Sequence, residues 1–251
     1  MRIISMVNQK GGVGKTTSAV NIAAMLAKKS QKTLLIDLDP QANATSGLGL
    51  YENNYTHSVY EALLGNIEPA QAIYPSAVKN LSVMPASKDL SGAEIELVSE
   101  FNREKFLQTM IKKIDGMFDI VIIDCPPSLG LLTINSLTAS TEIIIPVQAE
   151  YYALEGLARL MQTIESVKKA LNPKLFIKGV LITMYDKRLG LSKQVEEEAR
   201  DHLKDLVFKT VIPRNVKLSE APSFGEPIST YDKKSKGAKA YKNLIKELLN
   251  G

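Results

Sequence analysis

A short apolar run, Ile3–Val7, leads straight into Asn8-Gln9-Lys10-Gly11-Gly12-Val13-Gly14-Lys15-Thr16-Thr17, and a helical pattern follows. No other feature of the chain restricts its fold as tightly. Gly11, Gly12 and Gly14 let backbone N–H groups converge on one point without a Cβ in the way. A helix starting there adds the positive end of its dipole. Such a turn is suited to phosphate oxygens, so Lys10, Gly11, Gly12, Val13, Gly14, Lys15, Thr16 and Thr17 form the expected phosphate-binding set. Within it Lys15 is placed to reach β- and γ-phosphates, and the Thr16 hydroxyl to ligate Mg²⁺.

The rest of the chain repeats the alternation of strand and helix. Strand-length apolar runs recur at Thr33–Ile36, Leu81–Pro85, Ile120–Asp124, Ile143–Val147, Lys178–Thr183 and Val207–Ile212. They are β-branched and nearly continuous, as strands covered on both faces are. Helical spacing appears between them. Thr17–Lys29 groups Val20, Ala23, Ala24 and Ala27, Lys105–Ile114 groups Leu107, Met110, Ile111 and Ile114, and Ala153–Leu171 groups Leu157, Leu160, Ile164 and Val167. The expected fold class is α/β: a mostly parallel, twisted sheet with helices on both faces. No repeat or linker divides the chain, so residues 1–251 are expected to form a single domain. Asn43–Asn54, polar and with Gly47 and Gly49, is the best candidate for a flexible loop.

Composition works by exclusion. With 45% hydrophobic and 23% charged residues the chain is neither disordered nor fibrous. A single cysteine, Cys125, rules out an internal disulfide framework and a zinc site built on several thiolates. It reads as a small packed side chain, and His57 and His202 as surface or packing residues. No apolar run approaches a membrane span, and the first residues read as a strand, so a cytoplasmic protein is expected.

Two strand ends carry carboxylates. Thr33–Ile36 runs into Asp37-Leu38-Asp39-Pro40-Gln41, and Ile120–Ile123 into Asp124-Cys125-Pro126-Pro127. Ligands of open α/β sheets bind beyond the carboxyl ends of the strands, so both sets face the glycine loop. Asp124 is the expected Mg²⁺ carboxylate, acting through a water. Asp39 is a second candidate, also through a water. Asp37 could contribute to the chemistry or only brace the glycine loop.

The loop departs from G-x-x-x-x-G-K-[ST]: Gln9 stands where the leading glycine would fall, and Lys10 precedes the double glycine. It resembles the deviant P-loop of one branch of the P-loop NTPases. Further stretches carry the resemblance: Asp39-Pro40-Gln41-Ala42-Asn43-Ala44-Thr45-Ser46-Gly47-Leu48-Gly49, Asp124-Cys125-Pro126-Pro127-Ser128-Leu129-Gly130, Pro146-Val147-Gln148-Ala149-Glu150-Tyr151-Tyr152-Ala153-Leu154-Glu155-Gly156 and Pro213-Arg214-Asn215-Val216-Lys217-Leu218-Ser219-Glu220-Ala221-Pro222. Together they resemble the ParA/Soj chromosome- and plasmid-partitioning ATPases from end to end. Because the first strand begins at residue 2, the short form without an N-terminal helix-turn-helix domain is expected. The resemblance implies an ATPase using ATP and Mg²⁺, in which Lys10 and Lys15 act on the phosphates and Asp39 orients the attacking water. It implies a homodimer closed by ATP, with Lys10 reaching across to the other copy's phosphates. It also implies an adenine site at Met184, Pro213, Arg214 and Asn215; no Asn-Lys-x-Asp guanine reader is present. The dimer would bind double-stranded DNA without sequence preference and associate with the nucleoid. A ParB/Spo0J-type centromere-binding protein would stimulate hydrolysis and reset it. Arg188 and Lys217 fall where the family places DNA contacts.

Charge supports the DNA step separately. Residues 1–150 carry 12 basic and 15 acidic side chains, whereas residues 151–251 carry 19 and 12. Residues 209–246 alone hold nine Lys and Arg against three acids, and Lys233, Lys234, Lys236, Lys239 and Lys242 could extend the patch. Such an excess suits a polyanion. A membrane-cycling ATPase of the MinD type shares the loop and remains the alternative, because Tyr241, Leu244, Ile245, Leu248 and Leu249 form an apolar stripe beside lysines. The primary expectation is that this helix closes the fold and that no membrane partner is involved.

Overall fold

The computed structural model describes residues 1–150 and 153–250; of the side chains of residues 153–155 nothing is described. Tyr151 and Tyr152 of the family-like stretches lie outside the described residues. In chain order the strands are β1 (Arg2–Met6), β2 (Thr33–Asp37), β3 (Tyr74–Pro75), β4 (Leu81–Met84), β5 (Ile120–Asp124), β6 (Glu142–Gln148) and β7 (Phe176–Thr183). The helices are α1 (Lys15–Ala27), α2 (Asn43–Ser46), α3 (Val59–Leu64), α4 (Leu90–Leu97), α5 (Phe106–Lys112), α6 (Leu131–Ala139), α7 (Ala153–Ala170), α8 (Gly190–Leu203), α9 (Val216–Glu220), α10 (Ile228–Tyr231) and α11 (Lys236–Asn250). The strands join in one sheet in the order β3-β4-β2-β5-β1-β6-β7. All pairings are parallel except that of β3 with β4. β3 has two residues at an edge, where the missing N–H of Pro75 is tolerated.

The parallel register places Met6, Asp37 and Asp124 side by side at one end of the sheet. This alignment sets the site. Period-two alternation sends neighbouring residues of each strand into two different cores. Ile4, Met6, Leu35, Ile120, Ile122 and Leu181 pack on the face covered by α1 and α11. Leu34, Ile36, Val121, Ile123, Ile143 and Ile145 pack on the face covered by α3 to α7. Both faces being apolar explains the continuous runs in the sequence.

α11 closes the face that α1 covers. Tyr241, Leu244, Ile245 and Leu248 are buried there, and the Tyr241 hydroxyl bonds Ser18 Oγ of α1 at 2.9 Å. The stripe beside lysines is therefore core, and of its members only Leu249 is exposed. No helix among the described residues is long and apolar enough to cross a membrane.

Two expectations are corrected. Val207–Ile212 is not a strand: it meets β7 through one isolated bridge, Val180 to Val207, and through Phe208 N and Ile212 N, which donate to Val180 O and Ile182 O at 3.0 and 2.8 Å. Between them the N–H groups of Lys209 and Thr210 donate to the carboxylate of Glu247 on α11, at 2.6 and 3.1 Å, which diverts them from the sheet. The Phe208 ring instead lies over Gly179, where a Cβ would come within 2.6 Å of it. Asn43–Asn54 is not a free loop either. Its first turn is α2, and Ala44, Thr45, Leu48 and Leu50 are buried, because Thr45 is bonded to Asp37.

Candidate functional site

The loop from β1 to α1 has the backbone its sequence demands. Gly12 and Gly14 take φ of 75° and 85°, in the left-handed region that side chains disfavour. Gly14 opens α1 with no side-chain cap, which leaves the first N–H groups of the helix available to a ligand. The loop is pinned from beneath. Thr183 Oγ1 donates to Val13 O at 2.8 Å, Asn8 Nδ2 to Pro146 O at 2.7 Å, and Asn8 Oδ1 accepts from Lys10 N at 2.9 Å.

The two loop lysines diverge. Lys15 is buried, with its ammonium donating to Lys10 O at 3.1 Å, so the loop carbonyl holds it in place. Burial pulls its pKa down, against the opposing pull of Asp124 first and then of Cys125 and Asp39. Lys10 lies apart from the lining of the cleft, with 43% of its side chain exposed, and pairs with Glu150 at 3.2 Å.

The carboxylates meet the loop from the neighbouring strands. Asp124 is fully buried, and neither of its oxygens has a hydrogen-bond partner. Burial and then Asp37 push its pKa well up, while Thr16 and Lys15 pull the other way. An orphaned carboxylate beside a threonine hydroxyl and an ammonium calls for a cation with bound water. Among the described residues no three His, Cys, Asp or Glu side chains could hold a metal together. Mg²⁺ keeps several waters and shares its sphere with phosphates, so it needs few protein ligands. Thr16 and Asp124 could supply the protein side of such a site, and Asp39 could join through a water.

Asp37 has a different role from Asp39. Its Oδ2 accepts from both Thr45 N at 2.8 Å and Thr45 Oγ1 at 2.7 Å, and its Oδ1 accepts from Asp39 N at 3.2 Å. Asp37 thus braces the segment that carries Asp39, and does not brace the glycine loop. Burial raises its pKa to about 6, although the Thr45 and Asp39 hydrogen bonds pull it down. Asp39 itself is 8% exposed and lines the cleft.

The raised carboxylates make a pH prediction. An acid whose folded pKa lies above its unfolded value stabilises the fold most when protonated and loses that contribution as pH rises through the folded value. The nucleotide-free chain should therefore melt at lower temperature at about pH 7.5 than at about pH 5.5, the window around Asp37's value of about 6. Bound Mg²⁺ competes with the proton, so the stabilisation it gives should be larger at the higher pH. Thermal melts with and without Mg²⁺–ATP measure both effects; melting temperatures independent of pH would count against this reading of the carboxylates.

A cleft of about 440 Å³ runs along the loop, lined by Gly11, Gly12, Lys15, Thr16, Asp39 and Pro127 among others. Beyond Gly14, Thr17, Met184 and Pro222 it continues into a second hollow of about 500 Å³ walled by Pro213, Arg214, Asn215 and Leu218. Met184 and the Pro213–Asn215 loop are thus brought together at the far end, tied by Arg214 N donating to Tyr185 O at 3.0 Å. Size and shape suit a nucleotide with phosphates at the loop and base in the hollow. The sequence reading did not single out Gln41, Asn43 or Glu226, which line the phosphate end. Gln41 and Asn43 stand in the Asp39–Gly47 stretch, where that signal lay; Glu226 has none.

Cys125 is buried, and its thiol donates to Ser136 Oγ at 3.0 Å; burial pushes its pKa to about 12, which leaves it inert. The Arg188 guanidinium donates two hydrogen bonds to Asp186 and its backbone N–H a third, and Lys217 pairs with Glu220 at 2.8 Å and sits 5.7 Å from the Tyr231 ring centre. Arg188 lies on the loop after β7, which Tyr185 ties through Ile212 and Arg214 to the segment leading into α9, where Lys217 stands.

A family model described as an AAA domain matches residues 1–177. The chain is 53% identical over 247 residues to the sporulation initiation inhibitor protein Soj of Bacillus subtilis, covering 98% of each. It is 52% identical over 248 residues to the chromosome partitioning protein ParA of Myxococcus xanthus, covering 99% of this chain and 88% of that one. Among solved structures, a cobyrinic acid a,c-diamide synthase from Mycobacterium smegmatis with bound ATP analogue and magnesium superposes with a TM-score of 0.88. It is 39% identical and covers 100% of this chain and 95% of its own.

Proposed function

Because the chain belongs to the ParA/Soj family of partitioning ATPases, we propose that it works as one ATPase domain over residues 1–251 whose ATP-bound homodimer carries DNA. The chain is an ATPase, and ATP and Mg²⁺ are its cofactors. In the proposed cycle Gly11 to Thr17 hold the phosphates, and Lys15 neutralises the β- and γ-oxygens. Thr16 and Asp124 hold Mg²⁺, Asp39 orients the attacking water, and Met184 with Pro213, Arg214 and Asn215 encloses the adenine. ParB-type partners stimulate hydrolysis, and the ADP form lets go of DNA and dissociates.

The divergence of the two lysines carries this reading. Lys15 serves its own cleft, whereas Lys10 is exposed and, among the described residues, its ammonium is paired with Glu150 alone. Exposed pairs are worth about 0–1 kcal/mol, so a phosphate from a second copy can displace Glu150 easily. Delivered across a dimer, the ammonium would meet charge developing on the transferred phosphoryl group, as an arginine finger does. A mobility shift with ATP, ADP and no nucleotide tests the cycle. Retardation of DNA by ATP alone is expected, and equal retardation in all three would refute it.

Arg188 and Lys217 support the DNA step through their exposure and their weak local pairs. Doubling this face in a dimer doubles the phosphate contacts, so ATP can gate DNA affinity through avidity. Arg188→Glu combined with Lys217→Glu should leave ATP affinity unchanged and abolish the shift. Each phosphate contact removed should flatten the plot of log K against log salt by about 0.9. Liposome co-sedimentation with ATP gives the counter-test: strong binding there, and none to DNA, would favour the MinD-type reading.

A further inference from the structure

α4 has one buried face and one that nothing covers. Leu90, Ala93 and Leu97 pack into the core. On the other side Ile95 is 80% exposed and Val98 57%, and Phe101 in the following turn is 89% exposed. Ile95 and Phe101 are the two most exposed large apolar side chains among the described residues. An apolar stripe on a soluble domain is costly unless something binds it.

The charge around the stripe states what that is. Residues 89–100 hold four acids, Asp89, Glu94, Glu96 and Glu100, and no base, in a chain of net charge +4; Glu94 turns inward to Leu132 N, which leaves Asp89, Glu96 and Glu100 exposed. None of the four is in an ion pair among the described residues; the nearest bases in sequence, Lys88 and Arg103, are taken by Glu52 and Glu104. Nucleic acid and acidic membranes are repelled by such a face. A cationic amphipathic segment of another protein fits it: apolar side chains on Ile95, Val98 and Phe101, with Lys or Arg against the acids.

The helix is also wired to the site. Just before it, Ala86 N donates to Thr45 Oγ1 at 3.1 Å, and that hydroxyl donates to Asp37, which braces Asp39. From its middle, Glu94 Oε1 accepts from Leu132 N at 3.2 Å and packs so closely over Gly130 that a Cβ there would collide with it. Gly130 ends the loop that begins at Asp124 and includes Pro127 of the cleft wall. One hydrogen-bonded link therefore joins the segment before α4 to Asp37 and Asp39, and one joins α4 itself to the start of α6, beyond the loop that follows Asp124.

We propose that the outer face of α4, centred on Ile95, Val98 and Phe101, is the docking surface for a cationic amphipathic segment of the activating protein. Docking there acts on the segments that carry Asp39 and Asp124. The inference rests on the partner step of the proposed cycle and adds its location.

The test uses the full chain with Mg²⁺–ATP and DNA, and the ParB-type protein as probe, with turnover and binding followed together. Ile95→Ser with Phe101→Ser should raise the concentration for half-maximal stimulation about tenfold or more, and leave unstimulated turnover and ATP affinity unchanged. Glu96→Lys with Glu100→Lys should do the same and weaken the salt dependence of binding. Stimulation of both variants equal to that of the native chain would overturn the α4 surface and leave the cycle standing. A native chain that neither binds the probe nor responds to it would overturn the partner step and this surface with it.

Discussion

Replacing Asp39 by alanine is expected to leave ATP binding intact and to slow turnover by about 10²–10⁴-fold, the usual worth of one positioned acid–base group. Asp39 lines the phosphate end of the cleft, 8% exposed, and among the described residues its Oδ1 takes only the backbone N–H of Gln41, at 3.0 Å. The rest of its accepting capacity is free for a water. The phosphates are held by other groups, so the variant should load nucleotide and stall. If the dimer is the DNA-binding form, the stalled chain should remain on DNA. Measured turnover, nucleotide affinity and the lifetime of the DNA complex separate these consequences. Turnover equal to the native rate would remove Asp39 from the mechanism. Asp37→Asn tests the neighbouring assignment: it should slow turnover less, because it loosens the brace on Asp39 without touching the nucleotide.

Lys15→Ala is the second large effect, and it falls on binding. A hydrogen bond to a charged group contributes about 1.5–3 kcal/mol, and in the proposed cycle the Lys15 ammonium would make two with phosphate oxygens. Loss of both weakens ATP affinity by about 10²–10⁴-fold. A second consequence adds to this. Lys15 is the buried cation beside Asp124, and removing it leaves that carboxylate without a compensating charge. Titration of a fluorescent ATP analogue with Mg²⁺ measures the loss. Affinity within a factor of about three of native would mean that backbone N–H groups alone hold the phosphates.

How far this could be read in advance differs from element to element. The glycine loop, the strand ends with Asp39 and Asp124, and α1 follow from short-range rules: positive φ at glycine, period-two runs, and helical spacing. The Val207–Ile212 segment obeys the same composition rule as a strand and fails to be one. The reason is a carboxylate 38 residues away, on Glu247, that captures Lys209 N. Asn43–Asn54 looked mobile because its polarity was legible, whereas the hydrogen bonds from Thr45 to Asp37 were not. The base-side hollow joins Met184 to Pro213–Asn215 through backbone contacts that spacing cannot reveal.

By itself the sequence determined the phosphate loop, the carboxylate ends of two strands, the sheet-and-helix class, and the uneven division of charge between its halves. These depend on the conformations open to a few consecutive residues and on side-chain character, both properties of local chain. Tertiary structure alone decided that Asp37 braces its neighbour, that Lys10 pairs with Glu150, and that α4 presents an apolar face while its Glu94 bonds Leu132 N. Each of these depends on which strands become neighbours and which distant group reaches a free donor first. That is settled only when the whole sheet has closed.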